Sequence, residues 1–234
     1  MKISLFVWRV RTSAVPFAIF RMALDRLFLR KVSGLSFYKL LGTGKGETFT
    51  PRDADMWQWA LLVVGDDDAI SNIKNSALVK RWTKRSTESA IFDLSPLSSH
   101  GQWAGQEPFQ NLDVTNGEKP RGGQVAAITR ARIKWSKSLT FWRAVPPVIT
   151  DLKYAPGLVA AIGIGEAPLG LQGTFSVWKD AQSLRNFAYK TDSHNQAITA
   201  TAEIGWYSEE LFARFSVVTA AGSLNGITVG DKAD

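Results

Sequence analysis

The sequence predicts an α+β protein made of two ferredoxin-like βαββαβ repeats, with the two sheets facing one another as a pseudo-dimeric α+β barrel. Three observations carry this. Strand-like and helix-like patterns follow one another in the order βαββαβ, and the same order then recurs within one chain of 234 residues. The halves also match in residues. Gly34-Leu35 answers Gly157-Leu158, and Trp59-Ala-Leu-Leu-Val63 answers Phe175-Ser-Val-Trp178. Between them, residues 95–123 are rich in Gly, Pro, Ser and Asn, as a long connection is. The organisation read from this is a first repeat over 1–97, a linker over 98–123, a second repeat over 124–225 and a tail over 226–234.

Each element has its own local signal. Ile3–Arg11 is a strand pattern with Phe6 and Trp8 among aliphatics. Residues 14–30 read as an amphipathic helix, with Pro16 in the first turn and Arg21, Arg26 and Arg30 towards solvent. Gly34–Gly44 and Met56–Val64 are strands. Gly65 with Asp66, Asp67 and Asp68 supplies a turn and an N-cap for a helix over 68–86, whose Lys80, Arg81, Lys84 and Arg85 suit its C-terminal end. Ser89–Leu94 closes the first repeat as a strand. In the second, Gln124–Trp135 is a strand, 138–154 a helix containing Pro146-Pro147, and Gly157–Gly165 and Gly173–Trp178 strands. Asp180 caps a helix over 180–205, and Leu211–Val218 is the last strand. That helix holds the oddest placement in the chain. Its apolar side runs through Leu184, Phe187, Thr191, His194, Ile198 and Thr201, so an imidazole points where aliphatic groups belong.

Composition narrows the chemistry. With 45% hydrophobic residues the chain can bury a large core. It has no cysteine, which excludes disulfides, a thiolate nucleophile, iron–sulfur clusters and thiolate-ligated haem. The apolar run at the start is short and interrupted by Arg9 and Arg11, and no stretch reaches the roughly 18–20 residues of a membrane span. The expectation is a soluble, cytoplasmic protein that could associate with a membrane peripherally. The net charge of +7 reads first as a basic solvated surface. Its sharper readings are an anionic membrane surface or an acidic electron donor; no nucleic-acid motif accompanies it. Nine tryptophans suit either the lining of a large flat apolar ligand site or an aromatic-heavy core.

Most short motifs fail. Gly42-Thr-Gly-Lys-Gly46 lacks the Walker spacing and reads as a glycine turn. No serine-nucleophile elbow and no HExxH pattern occurs. A two-histidine, one-carboxylate iron site would need His100 and His194 from different repeats. His194 can be either a hydrogen-bonded core histidine or the proximal ligand of a haem. Taken alone, the residues favour the first.

A set of ordered blocks shifts that balance: FYKLLGTGKGETFTP (37–51), LSPLSSHGQWAGQEPF (94–109), VAAITRARI (125–133), IGIGEAPLGLQGTFSVW (162–178), FAYKTDSHNQAI (187–198) and GWYSEELFARFSV (205–217). In order and spacing, across nearly all of residues 1–225, they resemble the spheroidene monooxygenase family of carotenoid ketolases. The resemblance implies a monooxygenase containing haem b. It would use dioxygen and electrons from a reduced ferredoxin or similar donor to oxidise a methylene beside a polyene to a hydroxyl or ketone. It also implies that His194 is the proximal iron ligand; a carboxylate or carbonyl accepting from its other ring nitrogen would raise its basicity, and Asp192 and Glu203 are the carboxylates nearby in sequence. Gln172 and Ser176 are implied as distal hydrogen-bond donors, and Arg130, Arg132, Arg214 and Lys39 as partners of the haem propionates. For Ser176, a strand hydroxyl facing solvent or a neighbour is an equal reading; for Lys39, an ordinary outward-facing lysine is. Trp142, Phe175, Trp178, Phe187 and Trp206 are the implied walls, and His100 an ordinary loop histidine. The chain is also similar to other haem proteins on ferredoxin-like barrels, which keeps dehydratase or peroxidase chemistry, or a non-enzymatic haem or lipophile carrier, open beside the oxygenase. Partners read from this are an apolar polyene-like substrate, the electron donor, a membrane surface and a second copy in a homodimer, with no nucleic acid.

Overall fold

The computed structural model describes residues 1–44, 53–109, 123–134, 151–166, 173–190 and 207–230. The first half runs β1 (Lys2–Val10), a single 3-10 turn (Thr12–Ala14), α1 (Val15–Leu29), β2 (Leu35–Gly44), β3 (Ala54–Gly65), α2 (Asp67–Asn75), α3 (Ala77–Arg85) and β4 (Ser86–Gly101). The second runs β5 (Val125–Ile133), β6 (Leu158–Gly165), β7 (Gly173–Trp178), α4 (Ala181–Lys190) and β8 (Tyr207–Leu224), followed by the two-residue β9 (Ile227–Thr228).

The strands pair antiparallel in the order β4-β1-β3-β2-β6-β7-β5-β8, and β8 pairs back onto β4. The sheet therefore closes on itself, which removes its exposed edges. The two halves carry the same internal order, β4-β1-β3-β2 and β8-β5-β7-β6. Their two seams differ in length. β2 meets β6 only from Gly42↔Gly165 to Gly44↔Gly163, whereas β4 meets β8 from Ala90↔Gly222 to Gly101↔Leu211.

Alternation along each strand divides the side chains between the inside and the outside of this ring. Leu5, Val7, Leu62, Phe92, Ile128, Ile162, Phe175 and Phe215 belong to one continuous buried core that fills the interior. On the outside of the first half, Phe6, Trp8, Val10, Leu40, Trp59, Leu61 and Val63 form a second core with α1, α2 and α3. Trp8 is its keystone, stacked on Phe6 at 5.5 Å and on Trp82 of α3 at 5.3 Å. The Trp82 indole N–H donates at 2.8 Å to Asp25, the fully buried carboxylate of α1, which Arg21 also holds. Arg21 is thus turned onto its own helix, not out to water as the sequence suggested.

Two expected elements differ in extent. The helix expected over 68–86 is two helices. Ser76 is extended at ψ 155, and its hydroxyl caps the second by accepting from Val79 N at 3.3 Å. A serine offers the backbone that alternative wherever a helix can be interrupted. β4 continues to Gly101, well past Leu94, through a segment of loop-like composition. Beyond Leu94 its only strand neighbour among the described residues is β8, a one-sided pairing that accommodates Pro96. Gly101 then turns the chain inward at φ +91, where a Cβ would lie 2.2 Å from the Glu210 carbonyl oxygen.

Candidate functional site

The outer faces of the two half-barrels are paved differently. Under α1–α3 the sheet presents Phe6, Trp8, Leu40, Trp59 and Leu61. The corresponding face of the second half presents Ala127, Thr129 and Ala131 of β5, Ala161 and Gly163 of β6, and Thr174 and Ser176 of β7, opposite which α4 packs. Small side chains fill less of the layer between sheet and helix than Phe, Trp and Leu do, and this small-residue face forms a bay. Large residues bound this bay at one end. Trp178 is fully buried with its ring centroid 5.3 Å from that of Phe187 on α4, and Leu184 joins them. Beside it, a cavity of about 280 Å³ opens among Leu97, Val125, Ala181, Leu184, Arg185 and Arg214.

A second polar feature lies inside one mouth of the barrel. Arg130 is 1% exposed, on the inward side of β5. Its guanidinium donates to Glu166 at 2.8 Å and pairs with Glu209. Lys39 reaches the other Glu166 oxygen at 2.8 Å. The turn after Gly101 drops Trp103 onto this cluster, where its indole N–H donates to Glu166 at 2.7 Å and its ring lies under the Arg130 guanidinium at 5.4 Å. Glu209 also accepts from the backbone N–H groups of Ala104 (3.0 Å) and Gly105 (2.8 Å), which pins the turn over the mouth.

These positions sort the residues named from the sequence. Ser176, Trp178 and Phe187 lie at the second-half bay, and Arg214 lines the cavity beside it. Phe175 points the other way, into the barrel core, because it is one residue out of register with Ser176 on an alternating strand. Lys39 and Arg130 also face inward, where both pair with Glu166 and Arg130 pairs with Glu209 as well, so neither stands as a free cation. Arg132 continues the Arg130 side of β5 towards the mouth and is exposed. His100 is an exposed residue of β4 opposite Phe212, not a loop histidine. Gln172, Trp142, His194 and Trp206 lie outside the described residues.

No family model matches the sequence. Curated relatives do. A spheroidene monooxygenase from Rhodobacter capsulatus is 38% identical over 218 residues, covering 92% of this chain and 89% of the relative. A second, from Rubrivivax gelatinosus, is 35% identical over 199 residues, covering 84% and 74%. The chain belongs to the spheroidene monooxygenase family. Among solved structures, an aldoxime dehydratase superposes with a TM-score of 0.52 at 14% identity, covering 92% of this chain and 80% of that one. A second aldoxime dehydratase, in complex with butyraldoxime, superposes at 0.53 with 13% identity, covering 92% and 79%. At those identities the likeness speaks for the fold alone.

In this family member the barrel-mouth cluster is the feature that sequence reasoning missed. Glu166 reads as part of a Gly/Pro turn, and no sequence pattern singles out Glu209. The one available signal was two carboxylates beside arginine-bearing strands of the same half. Burial pushes the Glu166 carboxyl up, but Lys39, the Trp103 indole and the Arg130 charge outweigh it and hold it below its usual 4.5. For Glu209, burial is likewise outweighed, by the Gly105 and Ala104 N–H groups and by Arg130. A depressed folded pKa stabilises the fold above the unfolded value and loses that contribution as pH falls through the folded one. Stability should therefore be flat from neutrality to about pH 4.5 and fall below it. Denaturant midpoints taken stepwise into acid measure this, and the Glu166→Gln/Glu209→Gln double variant should show a shallower acid limb. An unchanged limb in that variant would assign the acid sensitivity elsewhere.

Proposed function

We propose that this chain is a haem-dependent monooxygenase that oxidises a methylene of a carotenoid-like polyene, taking its electrons from a small acidic donor such as a reduced ferredoxin. The repeated strand order further supports reading the barrel as a duplicated ferredoxin-like unit, the second copy specialised for the cofactor. The observation that carries the proposal is the contrast between the two outer sheet faces. The face under the helix that leads to His194 carries Ala, Gly, Thr and Ser over β5–β7, with Val125, Trp178 and Phe212 at its margins, whereas its counterpart in the first half carries Phe, Trp and Leu. In this reading the first repeat fills the space with side chains and the second fills it with a macrocycle.

The residues present suit such a group. His194 would hold its iron. Arg214 and Arg185, both lining the cavity, would meet its carboxylates. Trp178 and Phe187 would wall its edge. When bound, the haem would supply dioxygen activation and the oxidation of an allylic C–H. Ser176 Oγ is buried on the sheet side and accepts from the Trp178 indole N–H at 3.0 Å. Its own O–H remains to donate to a molecule held above the sheet. The basic surface, net +7, would steer an acidic donor.

The experiment is to purify protein made with haem precursor supplied, record its absorption spectrum, and analyse products formed from a polyene with ferredoxin, reductase and oxygen. A Soret band with a ketonic or hydroxylated product supports the proposal. A Soret band with turnover only of an aldoxime or a peroxide would move the chain to the dehydratase or peroxidase reading. The bay itself has a separate test. Ala161→Phe places a ring where the sheet is smallest, so haem affinity should fall roughly ten- to a hundred-fold, as overpacking by about 1–3 kcal/mol implies. The apo-protein should melt as before, and unaltered haem affinity would place the cofactor elsewhere.

A further inference from the structure

Helix α1 is apolar on its outward face as well as its inward one. Ala18 and Leu29 are buried against the sheet, and Asp25, the one carboxylate of the helix, is buried with them. Outward stand Pro16, Ile19, Phe20, Ala23 and Leu27, at the i, i+3, i+4, i+7 and i+11 positions of one stripe. Ile19 is 47% exposed, Phe20 63% and Leu27 56%, with Phe28 at 41% beside them. Arg26, Arg30 and Lys31 flank the stripe and are exposed. Met56 and Trp57, both exposed, lie at the barrel end where α1 begins, since Arg9 near the end of β1 stands opposite Gln58. A surface helix that carries an apolar stripe on its outward face as well as its inward one has a partner to meet.

We propose that α1 docks this protein flat on an anionic lipid bilayer, with Phe20 and Leu27 entering the headgroup–acyl boundary and Arg26, Arg30 and Lys31 at the phosphates. Among the described residues no helix is long and apolar enough to cross a membrane, so the contact is one of lying on the surface. Charge selects lipid over a second copy of the chain. In a two-fold contact centred on α1, Arg26 and Arg30 would face their own equivalents, whereas anionic headgroups neutralise them. Area points the same way. A 15-residue helix is about 22 Å long and roughly 10 Å wide, so its stripe covers on the order of 200 Å², against about 800 Å² per partner in a stable protein interface. Trp57 adds the kind of aromatic that settles at a bilayer interface. None of this depends on the haem proposal.

The test is flotation of the full-length protein with vesicles of phosphatidylcholine alone and of equal parts phosphatidylcholine and phosphatidylglycerol. The protein should float with the anionic vesicles, less so at high salt, and only weakly with the neutral ones. The Phe20→Ser/Leu27→Ser variant should lose at least about ten-fold in affinity on both, with an unchanged melting temperature. The Arg26→Gln/Arg30→Gln variant should lose roughly twenty-fold on anionic vesicles and nothing on neutral ones. Absence of wild-type flotation, or equal flotation by the serine variant, overturns the proposal. So does a wild-type dimer that ignores vesicles and that the serine variant turns into a monomer, because the face would then join two copies. If the serine variant does not fold, the arginine variant decides, and wild-type affinity for anionic vesicles in that variant overturns the proposal too. Because flotation is read without cofactor, its failure is separable from a failure of the haem reading, which the spectrum reports.

Discussion

Arg130→Ala should destabilise the protein by about 3 kcal/mol, the largest loss expected from any single side chain of the barrel mouth. Removing the buried cation takes from Glu166 and Glu209 their shared partner together, leaving Glu166 with Lys39 and Trp103 and Glu209 with the Ala104 and Gly105 N–H groups. Both carboxylates are partly open to water, 27% and 15% by side chain, which puts the effect at the lower end of the usual 3–5 kcal/mol. The truncation also removes the guanidinium from the Trp103 ring and loosens the turn that Glu209 ties down. In a chain of this size the melting temperature should fall by roughly 6–12 °C. A triple variant, Arg130→Met with Glu166→Gln and Glu209→Gln, should recover most of the loss, because it leaves few unpaired charges. An Arg130→Ala variant within about 0.5 kcal/mol of wild type, the range of an ordinary surface change, would show that the cluster is not structural.

What the sequence revealed and what it hid divide along the range of the interactions. β6 and β7 were legible to within a residue, and so was β1, because alternation and β-branched content are local. The break at Ser76 was hidden because a serine fits a helix interior as well as a cap, and only the structure shows its hydroxyl accepting from Val79 N. The extension of β4 was invisible for a stronger reason. Ser95–Gly101 has the composition of a loop and is a strand only because β8 lies beside it. Facing direction was the hardest part of the site. Phe175 and Ser176 are adjacent, so naming both for one bay had to fail for one of them. Arg130 and Lys39 looked like free cations because their shared partner, Glu166, stands 36 and 127 residues away. The strand order is the same in the two halves, while the helix expected over 138–154 lies largely outside the described residues.

His194→Ala should abolish haem binding, the largest functional effect expected of any substitution in this chain. Loss of the axial imidazole removes the one protein–iron bond in the proposal, and the bay of Ala127, Ala161 and Ser176 cannot supply another, since none of those side chains is an iron ligand. The effect should be confined to the cofactor. The barrel closes through strands β1–β8 without it, so the apo forms of wild type and variant should melt alike. Added imidazole should restore part of the absorbance, as it would for a missing histidine ligand and not for a damaged fold. The decisive measurement is therefore the absorption spectrum and iron content of wild-type and His194→Ala protein, both produced with haem precursor. A Soret band with near-stoichiometric iron in the first and neither in the second is the result expected. A wild-type protein with no Soret band, or a variant that keeps one, would contradict the account.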